Sequence, residues 1–259
     1  MARTKRRTTR SPRSAARRTG ATGRLATTYW DATREPLYCL VFLLPMVLVY
    51  EFGAIMLRPA VWPEQQLFAQ SLVERVLEWF GAVGFWAPGV LLLATLLIWH
   101  LLARHSWQMR AWIPLLMAVE CLLLTLPLFM LDQVLLQIAA LSTPEVKLRL
   151  LLSIGAGIYE ELVFRLYLIV GLVSLLADGL RLPRKFATPA AAALSAIAFA
   201  VCHMHPIGSA EFTWPTFLFY CAAGGYLALL FVQRGLGIST GCHTAYNLLL
   251  VVAPLVLSR

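Results

Sequence analysis

Long apolar stretches alternate with short polar segments along most of the chain. Several of these stretches approach the roughly 20 residues that a helix needs to cross a bilayer. The pattern predicts membrane spans at 37–57, 86–104, 112–140, 147–178, 188–204, 212–233 and 238–256. We therefore expect an all-α fold, a polytopic transmembrane helix bundle of about seven spans.

The segment between the first two predicted spans has a different pattern. From Glu64 to Phe80, apolar side chains alternate with Glu74, Arg75 and Glu78 at helical spacing. Such amphipathic spacing is typical of a helix that lies in the membrane interface. We add one interfacial amphipathic helix to the predicted spans.

Composition agrees with a membrane protein. Of the 259 residues, 59% are hydrophobic and only 14% are charged, and the mean hydropathy is +0.72. A soluble domain carries about 25% charged residues. The five cysteines are odd in number and lie in or beside apolar runs, which indicates buried filler residues and not a disulfide framework.

Positive charge is concentrated at the N-terminus. Ten of the 22 Lys and Arg residues lie in residues 1–36, which contain few apolar side chains. We predict a basic, disordered cytoplasmic tail over 1–36 that contacts membrane lipids, and we favour this over nucleic-acid binding. With the N-terminus inside, the outer segments carry few cations, so the charge bias favours this orientation. Compactness favours a bacterial inner membrane.

The predicted span at 147–178 carries three charged side chains, Glu160, Glu161 and Arg165. Each charge at the centre of a bilayer costs about 2.5–3.5 kcal/mol. Residues four apart share a helix face, so Glu161 lies over Arg165, while Glu160 points about 100° away. An ion pair would make burial of Arg165 tolerable and would leave Glu160 free to face a cavity as a general base.

Two later spans carry polar residues with the same four-residue spacing. Phe199 and His203 share a face of one helix, and His243 and Asn247 share a face of another. A single histidine near a helix end is more often a satisfied interfacial residue than a catalyst. Each of these two patterns is weak on its own.

The three patterns together resemble a known family. In chain order they are Glu160-Glu161-x-x-x-Arg165, Phe199-x-x-x-His203 and His243-x-x-x-Asn247. This order resembles the CPBP family of CAAX proteases and bacteriocin-processing membrane proteins, also called the Abi family. The resemblance covers roughly residues 145–256. It implies that residues 37–259 form a transmembrane helical protease domain with its motif-bearing core at about 145–256.

The resemblance implies a glutamic-type intramembrane peptidase, a hydrolase that cleaves a membrane-anchored or lipidated protein or peptide. Glu160, with His203, would activate a water molecule that attacks the scissile carbonyl. His243 and Asn247 would form the oxyanion hole. The resemblance implies no cofactor and no metal.

By the same resemblance, Glu161 and Arg165 would support the site by orienting Glu160 and balancing its charge. The predicted spans place His203 near the outer end of its helix and His243 nearer the inner end of its own. A shared site therefore requires shifted helix boundaries, tilted helices or broken helices.

Two other functions stay open at this point. The ionisable side chains include ligand types of a zinc site, although the chain has no His-Glu-x-x-His helix. These side chains are Glu160, Glu161, His203, His205 and His243. A metal-dependent membrane protease is therefore one alternative. A non-catalytic membrane binding or immunity protein, in which the polar cluster is a binding pocket, is the other.

Four further polar residues lie in predicted spans. We expect Glu51 to pair within the bundle or to lie near the outer headgroups. Glu120 and Asp132 are expected to form structural hydrogen bonds, although both are in a position to line a cavity. His100 is expected at the interface.

Overall fold

The structure is a computed structural model, and it describes residues 28–61, 67–135 and 146–257. Most of the predicted basic tail lies outside these residues. The first residues of the predicted interfacial segment, 64–66, and the end of the third predicted span, 136–140, also lie outside the described residues.

Within these ranges the chain folds into helices and forms no strand. The α-helices are α1 (Tyr29–Ala32), α2 (Pro36–Val61), α3 (Phe68–Trp79), α4 (Ala87–Ala103), α5 (Trp112–Leu124), α6 (Leu126–Leu135), α7 (Val146–Glu161), α8 (Val170–Val173), α9 (Arg184–His203), α10 (Trp214–Arg234) and α11 (Leu236–Leu257). The predicted all-α polytopic bundle is confirmed.

Six helical stretches in the described part of the chain are long and apolar enough to cross a membrane. They are Pro36–Leu57, Trp112–Gln133, Val146–Gly179, Arg184–His203, Trp214–Arg234 and Leu236–Val256. The remaining predicted span, 86–104, corresponds to α4, which has 17 residues. At a rise of about 1.5 Å per residue, α4 is somewhat shorter than the roughly 30 Å hydrocarbon core.

The outer surface of the bundle is apolar. Large side chains such as Leu102, Leu115, Leu122 and Leu194 are exposed. A surface of this kind is unfavourable in water and suits contact with lipid tails. Together with the long apolar helices, it identifies an integral membrane protein.

Helix α3 is amphipathic, as the sequence predicts. Gln70 is buried on the side that faces the bundle, where the Tyr50 hydroxyl donates a hydrogen bond to its Oε1. Val76 and Trp79 are exposed. One face of α3 is thus held to the bundle by a hydrogen bond, and the other exposes apolar side chains. A helix in the membrane interface is expected to have such an apolar face.

Helix α7 does not end at Glu161 but continues in wider π-helical turns at Leu162–Ile169, followed by α8 and a second π-helical segment at Ser174–Gly179. In a π-helix the hydrogen bonds join residues five apart, and such segments often occur at functional sites. Glu161 is the last residue of α7, and Arg165 lies four residues later in the first of these π-helical segments.

Helices α7 and α11 pack closely at Gly157. A Cβ atom at this position would lie 2.9 Å from the backbone nitrogen of Thr244 and 3.0 Å from its Cα. No larger residue fits without moving one of the two helices. The close approach brings the end of α7, with its two glutamates, beside His243 on α11.

Candidate active site

Glu160 lies between two histidines from different helices. Its Oε2 atom is 3.5 Å from Nε2 of His203 and 3.7 Å from Nε2 of His243. Side chains from α7, α9 and α11 therefore meet at one place. Helix α9 packs against the π-helical continuation of α7 and ends at His203, beside Glu160.

Glu161 lies behind this site and is fully buried. Its Oε1 is 3.0 Å from Nδ1 of His243, and its Oε2 is 3.3 Å from Nε of Arg165. Ser239 donates a hydrogen bond from its hydroxyl to the same Oε2. The predicted contact of Glu161 with Arg165 is present, and Glu161 also fixes the ring of His243. Because Nδ1 faces Glu161, Nε2 of His243 faces Glu160.

Arg165 is also fully buried. The centre of its guanidinium group lies 4.5 Å from the centroid of the Phe199 ring. One of its terminal nitrogens donates a hydrogen bond to the carbonyl oxygen of Gly224 at 3.3 Å. Stacking on an aromatic ring and pairing with Glu161 lower the cost of a charge in this position.

The ring of His203 is held on two sides. Its Nδ1 is 2.7 Å from the carbonyl oxygen of Phe199, one turn earlier. Tyr220 stacks on the ring with centroids 4.3 Å apart and an interplanar angle of 24°. A proton on Nδ1 that is donated to this carbonyl leaves Nε2 directed at Glu160.

A cavity of about 280 Å³ opens beside these groups. Its polar lining residues are Asp132, Glu160, His203, Tyr220, His243, Tyr246 and Asn247. Four of the six predicted site residues therefore line one cavity. The other two, Glu161 and Arg165, are buried behind its wall. His205, a candidate zinc ligand in the sequence, is exposed in the segment after α9.

Two residues near the site, Ser239 and Tyr220, are not predicted by the sequence. Ser239 lies four residues before His243, so the spacing that groups His243 with Asn247 also points to it. Tyr220 carries no comparable signal, because only the packing of α10 against α9 brings it to His203. Asp132 was expected to form structural hydrogen bonds or to line a cavity. It is 3% exposed and lines the cavity together with Tyr246.

The remaining polar residues of the spans have structural partners. Glu120 forms a two-pronged ion pair with Arg234, from Nε to Oε1 at 2.7 Å and from a terminal nitrogen to Oε2 at 2.6 Å. Glu51 accepts a hydrogen bond from the hydroxyl of Tyr159. His100, expected at the interface, is buried in the last turn of α4, and its ring packs against Trp107.

The zinc alternative requires at least three ligand side chains in one place. Among residues 28–61, 67–135 and 146–257, no group of three or more His, Cys, Asp or Glu side chains has an arrangement that could hold a metal ion. The described part of the chain therefore offers no ligand set that favours this alternative.

The fold and the site together define an integral membrane helix bundle with a buried glutamate–histidine centre. Residues 142–249 match the model of the Rce1-like family, described as type II CAAX prenyl endopeptidases. The matched region is less than half of the chain and contains all six predicted site residues. It is consistent with the resemblance to the CPBP family and supports an intramembrane protease. No curated protein and no solved structure gave a significant match.

Proposed function

We propose that the protein is an intramembrane endopeptidase of the glutamic type. In this proposal it hydrolyses a peptide bond of a membrane-anchored or lipidated protein with a water molecule that Glu160 activates. The observation that carries the proposal is the position of the Glu160 carboxylate, 3.5 and 3.7 Å from two imidazole nitrogens. The adjoining cavity of about 280 Å³ has room for water, since one water occupies about 30 Å³.

The first step is attack by water. The Glu160 carboxylate accepts a proton from the water while the water oxygen bonds to the scissile carbonyl carbon. His203 orients the water through Nε2, because its Nδ1 is engaged with the carbonyl of Phe199. A positioned general base of this kind raises the reaction rate about 10²- to 10⁴-fold.

The negative charge that develops on the carbonyl oxygen is stabilised by hydrogen-bond donors. In our proposal these are Nε2–H of His243 and the side-chain amide of Asn247, both at the cavity wall. Glu161, 3.0 Å from Nδ1 of His243, holds the ring so that Nε2 faces the cavity, where a donor fixed in advance stabilises the developing charge.

In the second step the tetrahedral intermediate collapses. The C–N bond breaks, and the proton held by Glu160 passes to the leaving amine. The products are a carboxylic acid, which then loses its proton to solvent and becomes a carboxylate, and a new amine. The water oxygen stays in the carboxyl group. No covalent bond to the enzyme forms at any stage.

The Rce1-like match implies a membrane-associated prenylated protein as the substrate. We extend this to membrane-anchored proteins in general. We further propose that residues 1–36 are a cytoplasmic tail that contacts anionic lipids, that residues 37–259 form the protease domain, and that the membrane is the bacterial inner membrane. The concentration of cations in residues 1–36 supports the orientation.

Protein termini in living cells test the proposal. Cells that produce the wild-type chain or Glu160→Gln are compared by enrichment and sequencing of new termini on membrane proteins. We expect a set of termini that only the wild type generates. Identical sets of termini would contradict the proposal. Full cellular function with both Glu160→Gln and His203→Ala in place would favour the non-catalytic binder.

A further inference from the structure

The cavity beside Glu160 has a second acidic group in its wall, Asp132 on α6. The side chain of Asp132 is buried, and it lines the cavity together with Glu160, His203 and His243. The proposed hydrolysis does not use this carboxylate. The region that matches the family model begins at residue 142, after α6 has ended, so the match does not account for Asp132 either.

The charged groups in the cavity wall are unevenly paired. Oε2 of Glu160 faces two imidazoles, His203 at 3.5 Å and His243 at 3.7 Å. Within the described ranges, Asp132 forms no ion pair with a Lys, Arg or His side chain. Its Oδ2 atom is buried and has no hydrogen-bond partner among the same residues. The wall therefore carries an acidic group whose charge no described cation offsets.

A buried carboxylate oxygen without a donor is unfavourable, because it has lost its water and gained nothing in exchange. A partner that brings both positive charge and N–H groups removes most of that cost. The cavity is the free space beside Asp132 in which such a partner has room. In a peptide the side chains of Lys and Arg carry both properties.

Asp132 and Glu160 are separated by no more than the width of one small cavity. A cube with the cavity volume of about 280 Å³ has an edge of about 6.5 Å, and an extended peptide advances about 3.3 Å per residue. About two residues therefore cover this width. A side chain that reaches Asp132 belongs to a residue about one to three positions from the bond that lies at Glu160.

Asp132 also lies close to one end of a membrane-spanning stretch. It is the second-last residue of the span Trp112–Gln133. Lys and Arg are common just beside the apolar segments of membrane proteins, where their long side chains reach the headgroups. A substrate cation at Asp132 therefore does not have to enter the hydrocarbon centre.

We propose that Asp132 determines specificity by binding a Lys or Arg side chain of the substrate, about one to three residues from the cleaved bond. The substrate class is then a membrane-anchored protein with a basic residue beside its anchor. This inference rests on the proposed function. Tyr220 and Tyr246, which line the same cavity, offer apolar surface to the long stem of such a side chain.

The test uses membrane-tethered peptides in which a single Lys, Gln or Glu is moved through the three positions on each side of the cleaved bond. The wild-type chain and Asp132→Asn are compared in vesicles of zwitterionic lipid, which do not attract the cation themselves. Gln133→Ala is the matched control, because Gln133 is the next residue on α6, is exposed and does not line the cavity. The experiment measures kcat and KM for each peptide.

We expect the wild type to prefer Lys to Gln by about ten- to a hundredfold in kcat/KM at one of these positions, mainly through KM, as for a charge-assisted hydrogen bond. Glu at that position is expected to be the poorest substrate. Asp132→Asn is expected to lose the preference and to cleave the Gln peptide as the wild type does. Gln133→Ala is expected to retain the preference, and Asp132→Glu to retain part of it.

Other results separate the two proposals. If the wild type cleaves the Lys, Gln and Glu peptides equally at every position, the role of Asp132 is wrong and the peptidase stands. If Asp132→Asn slows all peptides by the same factor, Asp132 supports the structure of the site and the inference is overturned. Asp132→Ser, which is also uncharged, takes the place of Asp132→Asn if that variant does not fold. If Glu160→Gln cleaves as fast as the wild type, the proposed function fails, and the inference fails with it.

Discussion

Glu161 and His243 meet across two helices, with 3.0 Å between Oε1 of the glutamate and Nδ1 of the imidazole. The pair links α7 to α11 at a buried point directly behind the cavity. The other carboxylate oxygen of Glu161, Oε2, contacts Arg165 and Ser239. Glu161 is therefore more than a counter-ion for Arg165, because it also orients the imidazole ring of His243, which faces Glu160.

Replacing Glu161 by Gln is expected to lower kcat by about a hundredfold, comparable to the loss of one oxyanion donor. The amide still occupies the space but is a weaker partner for Nδ1 of His243 than the carboxylate, so the ring is held less firmly. Peptide cleavage by the purified variant measures the effect. A variant that is less stable but keeps the wild-type kcat would show that Glu161 is structural only. Ser239→Ala, which removes one hydrogen bond to the same carboxylate, is expected to have a smaller effect on kcat.

Replacing Arg165 by Met is expected to destabilise the protein by about 3–5 kcal/mol, because Glu161 then keeps its charge in a buried place without its cationic partner. Arg165→Lys is expected to recover little, since an ammonium group lacks the planar surface that stacks on Phe199. Unfolding in detergent measures both variants. The double variant Glu161→Gln, Arg165→Met is expected to be more stable than Arg165→Met alone. Equal stability of wild type and Arg165→Met would contradict this account.

Gly157→Ala is expected to lower activity at least tenfold, because the added methyl group meets the backbone of Thr244 and forces α7 away from α11. Overpacking of this kind costs about 1–3 kcal/mol in stability. Gly171→Ala is the matched control, since a Cβ atom there meets nothing within 4 Å. The two variants are compared by cleavage rate and by melting temperature. Equal activity of both would show that the close helix contact does not position the site.

The pair of Glu120 and Arg234 joins α5 to α10, away from the cavity, and its loss is expected to affect stability alone. Glu120→Gln leaves a buried guanidinium group with a weaker partner and is expected to cost about 3 kcal/mol. Its kcat is expected to equal that of the wild type. Tyr29→Phe, which removes a hydrogen bond to Glu120 at 2.5 Å, is expected to cost about 1 kcal/mol. A loss of kcat in Glu120→Gln, measured on folded protein, would contradict the separation of the two sites.

Hydropathy and helical spacing are enough to predict the helix bundle and the contact of Glu161 with Arg165, because both depend on residues that are close in sequence. The meeting of Glu160 with His203 depends on where α9 ends relative to α7, which periodicity locates only to within a few residues. The contact between Glu161 and His243 depends on the approach of α7 and α11 at Gly157. Tyr220 reaches the site by tertiary packing alone.

The most direct test of the central claim is cleavage of a membrane-tethered peptide by the purified Glu160→Gln variant in the presence of a metal chelator. Glutamine keeps the shape of the side chain and removes the base. We predict that the wild-type chain cleaves under these conditions and that the variant is slower by about 10²–10⁴ with an unchanged melting temperature. Cleavage by Glu160→Gln at the wild-type rate would contradict the account.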